Sequence, residues 1–310
     1  MNTATNSVKN TLDIRPEVSQ TLAVGGAVVA LESTVIAHGL PSPHNVDVAL
    51  SMEAAIRAAG AVPATIAVLD GTLTVGLSED EIRTLADAPK GSIRKASRRD
   101  LSIATGLGEM AATTVSATMI GAHLAGISVF ATGGIGGVHR GAPFDVSADL
   151  TELGRTPVAV VCSGPKAILD IPATREVLET QGVPVIGYGT DQLPAFYSQD
   201  SGFAADARVD TAADAAKLIS GQMALGLQSG LLFGVPVPEA DALAPEEIEG
   251  SIAIATTEAQ SRGISGYQVT PFVLARIAEL TGGQSMTANM SLLRNNAKVA
   301  AEIAVALSKG

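Results

Sequence analysis

ISVFATGGIGG (127–137) decides the fold. An apolar, β-branched run stops at Thr132 and glycines follow at once, so the segment reads as a buried strand running into a tight turn. TPVAVVCSGPK (156–166) repeats the plan: a strand, a small-residue turn, and Pro165 placed to open a helix. VPVIGYGT (183–190) does so again, SGLLFGVPVP (229–238) offers a further strand, and AVVALEST (27–34) is a buried strand with Glu32 breaking its apolar series. Helical patterns lie between. Val46, Val48, Ala49, Met52, Ala55 and Ile56 predict a helix over 45–59, stopped by Gly60. Further helices are predicted over 108–125, 244–262, 270–281 and Ala288–Ser308. TIAVLDGTLTVGL (65–77) reads as two strands around Asp70-Gly71, and Ser78 with Glu81 forms a capping box for the next helix. Strands alternating with helices predict an α/β fold, a three-layer α/β/α single domain with a mixed, largely parallel central sheet. No linker or repeat divides residues 16–310, and residues 1–15, polar and aperiodic, read as a mobile N-terminal tail.

Composition narrows the function. The chain has 310 residues, 46% hydrophobic and 16% charged, enough to bury a large core. A formal charge of −11 gives no chain-wide attraction to nucleic acid or an anionic membrane, while leaving room for a local basic pocket. A single cysteine, Cys162, excludes an intramolecular disulfide and a cysteine-cluster zinc site. No Asp, Glu, Lys or Arg occurs between Met110 and His139, a stretch longer than a membrane span, but threonines and glycines break it into separate elements. The start of the chain lacks a secretory pattern. A cytoplasmic enzyme or metabolite binder is expected.

Ligands of α/β sheets collect outside the carboxyl ends of the strands. Glu32-Ser33-Thr34, the Gly133–Arg140 turn and Ser163-Gly164-Pro165-Lys166 all fall there. GGIGGVHRG is neither a Walker loop nor G-x-G-x-x-G, since His139 stands where the last glycine belongs. Its glycines, with His139 and Arg140, favour an anion site over a plain tight turn. Lys166, read as lying just inside a helix start, is either an exposed lysine or an amine rendered nucleophilic by the helix dipole and desolvation. Glu32 is either a paired structural carboxylate or a general acid. Asp145 and Asp149 suit a hard cation such as Mg²⁺ or Mn²⁺, or an ordinary helix cap around Ser147. KASRRD (95–100) is a solvated turn or a phosphate contact through Lys95. Cys162 reads as packing, and Asn289, Asn295 and Asn296 as helix caps ahead of base-recognising amides.

Taken in order, ALESTVIAHGLP (30–41), KASRRDL (95–101), TTVSATM (113–119), FATGGIGGVHRGA (130–142), FDVSADL (144–150), CSGPKAILD (162–170), LPAFY (193–197) and TPFVLARIAELTGG (270–283) resemble the pseudouridine-5′-phosphate glycosidase family from about residue 16 onward. The resemblance implies a manganese-dependent homotrimer that reversibly splits pseudouridine 5′-phosphate into uracil and ribose 5-phosphate. It implies Lys166 as nucleophile and Glu32 as proton donor. Substrate contacts would come from Lys95, Val115 and the segment Ser147, Ala148 and Asp149, with Mn²⁺ on Asp145. His139 and Asn289 would contact phosphate or sugar and base, respectively. Competing readings are a two-carboxylate glycosidase in which Lys166 only binds phosphate, an enzyme for another C-glycoside, and a non-catalytic sugar-phosphate sensor.

Overall fold

The computed structural model describes residues 11–89, 91–264 and 269–310. An eleven-stranded sheet forms its middle. Its main path runs β1 (Leu12–Ile14), β4 (Thr72–Val75), β3 (Val62–Leu69), β2 (Val28–Leu31), β7 (Val129–Ala131), β10 (Ala159–Cys162), β14 (Leu231–Gly234), β12 (Val185–Tyr188) and β13 (Ala207–Val209). From β3 through β13 the neighbours are parallel, while β4 turns back antiparallel on β3 through the Asp70-Gly71 turn. β5 (Arg94–Ala96) pairs with β6 (Ala111–Thr113), and β6 joins the far half of β3. A separate small sheet holds β11 (Leu169–Asp170), β8 (Val138–His139) and β9 (Ala142–Val146).

Period-two alternation in the central strands makes two cores. Val29, Leu31, Val129, Ala131, Val161 and Phe233 point into one, with α2 (His44–Ala58), α8 (Ala212–Leu225), α9 (Pro245–Ser261), α10 (Val269–Leu280) and α11 (Gln284–Leu307). Their neighbours Val28, Ala30, Phe130, Val160 and Leu232 point into the other, with α1 (Pro16–Ala23), α4 (Arg98–Leu107), α5 (Val115–Ala125), α6 (Ala148–Leu153) and α7 (Ile171–Thr180). The three-layer expectation holds, and strands buried on both faces explain why they read as unbroken apolar runs. α3 (Glu79–Asp87) packs on a third, smaller cluster and starts with the expected Ser78–Glu81 capping box. Among the described residues no helix is long and apolar enough to cross a membrane.

Several expectations change. Residues 1–10 of the expected tail lie outside the described residues, but Leu12–Ile14 are a strand, parallel to β4, so the tail boundary at 15 is too late. The helix expected over 108–125 is strand β6 followed by α5, because Thr113 and Thr114 spend their backbones on β5 and its end. Pro165 opens no helix: it bridges to Ile135, and the next helix starts only at Ile171. Asn289, Asn295 and Asn296 are interior residues of α11, not caps.

Phe130 is fully buried in the middle of the sheet. Phe130→Ala is expected to cost about 3–5 kcal/mol in denaturant unfolding, from lost burial and the cavity left behind; a loss below about 1 kcal/mol would contradict this packing.

Candidate active site

Glu32 and Lys166 lie just beyond the carboxyl ends of β2 and β10, which flank β7. Neighbouring strands are about 4.8 Å apart, so these two ends sit about 10 Å from each other. The Glu32 carboxyl is buried, and the Thr132 hydroxyl, at the end of β7, donates to its Oε1. Burial pushes its pKa up, outweighing the opposing pull of the Lys166 charge and of the Thr132 hydrogen bond. Lys95 and Asp149 also act on this carboxyl, one lowering its pKa and the other raising it. Lys95, half-buried in β5, has its own pKa lowered by burial and by the nearby Lys166 cation. Two amines and two carboxyls from four separate parts of the chain thus lie within electrostatic reach at this end of the sheet.

The turn after β7 fixes Lys166. Ser163 N donates to Gly133 O (2.9 Å), Ile135 N to Gly164 O (3.1 Å), and Lys166 N to Ile135 O (3.0 Å). Phe196 N donates to Ser163 O (2.9 Å), and Phe196 takes a left-handed backbone (φ 64°), an uncommon conformation for a bulky residue. The helix-dipole argument for Lys166 fails, since the lysine precedes β11 rather than opening a helix.

The glycine-rich turn is closely packed on its Cα side. A Cβ on Gly134 would lie 2.7 Å from the Phe196 ring and 2.9 Å from Gly164 O. One on Gly133 would press on Leu293 at 3.1 Å, one on Gly136 on Ser147 and Asp149, and one on Gly137 on Thr174. Gly136 N already donates to Asp149 Oδ2 (2.8 Å), and the Arg140 guanidinium is spent on Glu249 and on the carbonyls of Leu169 and Ala167. His139 sits in β8 opposite Leu169, three residues after Lys166.

Ser147 caps α6, so its hydroxyl accepts from Asp149 N (3.2 Å). The buried Asp149 carboxylate accepts from Ser116 N (2.9 Å) as well as from Gly136 N. It ties the Ser147–Asp149 segment to the start of α5, where Val115 is the first residue. Glu152 reinforces this joint by taking both Arg98 Nε and Nη2 at 2.6 Å. Asp145 lies elsewhere, exposed in β9 with no hydrogen bond or ion pair to any described residue. Among the described residues no three His, Cys, Asp or Glu side chains are grouped to hold a metal. A hard cation held at Asp145 would have this one carboxylate as its protein ligand and would take its remaining ligands from water. Asn289 is buried on α11. Cys162 is packing, its thiol pushed up to about 12 by burial.

Sequence reasoning passed over three residues. Thr132 was visible only as the end of a strand. His38 Nε2 and Thr114 Oγ1 are buried with no hydrogen-bond partner among the described residues, and both lie near Lys95: Thr114 N donates to Ala96 O, and the Lys95 charge joins burial in lowering the pKa of His38. Unpaired buried polar atoms beside charged groups are a mark of a functional site. The five-residue π-turn Val35–Gly39, which carries His38 just after Glu32, is a further mark of such places.

Comparison with known proteins gives a consistent picture. The family described as indigoidine synthase A like protein matches residues 17–306. "Pseudouridine-5′-phosphate glycosidase 2" of Rhizobium johnstonii is 58% identical over 292 residues, covering 94% of each chain. A pseudouridine-5′-phosphate glycosidase of Solibacter usitatus is 54% identical, covering 96% of this chain and 99% of its own. Among solved structures, the prealnumycin C-glycosynthase AlnA in complex with ribulose 5-phosphate superposes with a TM-score of 0.88 at 39% identity, over 96% of this chain and 97% of that one. An indigoidine synthase A-like protein of Thermotoga maritima gives 0.87 at 35% identity, with the same coverage.

Gly136→Ala is expected to destabilise the protein by about 1–3 kcal/mol in denaturant titration, because its Cβ would displace the Ser147–Asp149 segment. Unchanged stability would mean that the turn does not pack as described.

Proposed function

The chain belongs to the indigoidine synthase A like family, and from that premise we propose that it is a pseudouridine-5′-phosphate glycosidase, cleaving the bond between ribose C1′ and uracil C5. The observation that carries the reading is the buried Glu32 carboxyl, its pKa raised, within the field of Lys166 at the strand ends.

A C-glycoside resists ordinary glycosidase chemistry, because its leaving group would depart as a carbanion. Two things are needed: a proton for uracil C5 and an electron source at C1′. In the proposed sequence the free amine of Lys166 bonds to C1′ as the C1′–O4′ bond breaks, and O4′ takes up a proton. Glu32 then protonates C5. The C1′–C5 electron pair returns to the uracil ring, and the Lys166 nitrogen lone pair forms the C1′=N iminium. Water adds at C1′, the C–N bond breaks, and ribose 5-phosphate leaves with the amine restored. Every step is reversible.

Burial suits Glu32 to the donor role, since a carboxyl with a raised pKa keeps its proton closer to neutral pH. Lys95, the backbone of Val115 and the Ser147, Ala148 and Asp149 segment would hold the ribose phosphate, so that remote binding energy positions C1′. His139 would meet the phosphate or sugar, and Asn289 the base. Mn²⁺ at Asp145, when bound, would supply Lewis-acid assistance or orient waters. A homotrimer is part of the same reading. The two-carboxylate alternative is disfavoured because Asp149 spends both oxygens on backbone N–H groups, and Asp145 is exposed to solvent.

Incubation with pseudouridine 5′-phosphate and Mn²⁺ is expected to release free uracil, with chelator suppressing the rate and added Mn²⁺ restoring it; no uracil under any condition would refute the reading. Glu32→Gln is expected to lower kcat about 10²–10⁴-fold. In the unsubstituted protein, the cleavage rate should fall as pH rises through the Glu32 pKa, because only the protonated acid donates. A Glu32→Gln enzyme of normal rate would remove Glu32 from the chemistry.

A further inference from the structure

Asn296 is fully buried on α11 and aimed at the turns that carry the site. Its Nδ2 donates to Thr132 O (2.9 Å), to Gly133 O (3.4 Å) and to Ser163 Oγ (3.1 Å). In turn, Ser163 Oγ lies 3.3 Å from Asn296 Oδ1. One amide thus grips the residue that donates to Glu32 and the start of the turn that ends at Lys166. We propose that Asn296 is a positioning residue: it acts through Thr132 on Glu32 and through Ser163 on the Lys166 turn, and fixes the distance between acid and amine. This rests on the glycosidase reading above.

The reasoning is geometric. β2 and β10 are not hydrogen-bonded to each other, so their ends are held in register only through β7 and whatever spans the turns. Thr132 N donates to Val161 O (3.0 Å) and Ser163 N to Gly133 O, which ties the two turns by backbone. Those bonds hold the peptide before Thr132 and leave its carbonyl free. The Asn296 bond to that carbonyl holds the peptide after it, so both peptides flanking the Thr132 Cα are fixed, and with them the direction of the Cβ that carries the hydroxyl to Glu32. An apolar residue at 296 would leave the carbonyls of Thr132 and Gly133 with an unfilled position, and could not pin either turn.

Charged groups that act on Glu32 are Lys166, Lys95 and Asp149; Asn296 brings no charge, so its effect must pass through hydrogen bonding. Loss of the Thr132 donor removes a bond that favours the ionised carboxylate, so the Glu32 midpoint should rise.

The test compares Asn296→Ala, the isosteric Asn296→Asp, Thr132→Val and the Asn296→Ala/Thr132→Val pair. The Glu32 carboxyl is titrated by infrared difference against Glu32→Gln, and steady-state kinetics are measured on each. The Glu32 midpoint is expected to move to higher pH in Asn296→Ala and in Thr132→Val, with the pair no further displaced than either. In Asn296→Ala, kcat should fall about 10–100-fold with KM within about threefold of the parent. A folded Asn296→Ala or Asn296→Asp with an unmoved midpoint, or additive shifts in the pair, would overturn the proposal. So would unfolding of both position-296 variants, which would leave Asn296 a purely structural role. The titration needs no turnover, so failure of the parent protein to release uracil would refute the glycosidase reading without deciding this one.

Discussion

A carboxyl group kept out of water at the end of β2 is the constraint on which the site depends. An ionised carboxylate there would be costly, so the group is held toward its neutral form, with one hydroxyl donor and the amines of Lys166 and Lys95 as company. The parallel order β2, β7, β10 brings the acid and the amine to the same edge of the sheet. Without that order Glu32 would be a buried liability. With it, the acid and the amine stand on either side of a single strand end.

The other parts of the site hold that arrangement in place. Bare Cα positions at Gly133, Gly134, Gly136 and Gly137 let the turn after β7 press against α11, Phe196, the Ser147–Asp149 segment and α7. Asp149 and Glu152 then clamp α6 to the start of α5, where Ser116 donates to both. Rigidity here is built from close packing and hydrogen-bonded carboxylates, which is how a constellation is kept within the tolerance chemistry requires.

Much of this was legible in the sequence. Apolar runs ending in glycine or polar residues gave the central strands, since strands buried on both faces carry no polar alternation to obscure them. Asp70-Gly71 and the Ser78–Glu81 capping box act over a few residues and were read correctly. What failed depended on distant partners. Leu12–Ile14 are a strand only because β4 offers an edge to them. Pro165 looked like a helix opener, yet its neighbours are claimed by Ile135. Thr132 and Asn296 carry no motif of their own, and their roles exist only through residues 100 and 164 positions away in sequence.

The most direct measurement is covalent capture at Lys166. Borohydride added to the protein during turnover of pseudouridine 5′-phosphate, followed by peptide mass analysis, is predicted to leave a reduced pentose-phosphate adduct on the peptide containing Lys166 and on no other. Sustained uracil release with that peptide unmodified, or with the adduct on Lys95 instead, would contradict an imine at Lys166.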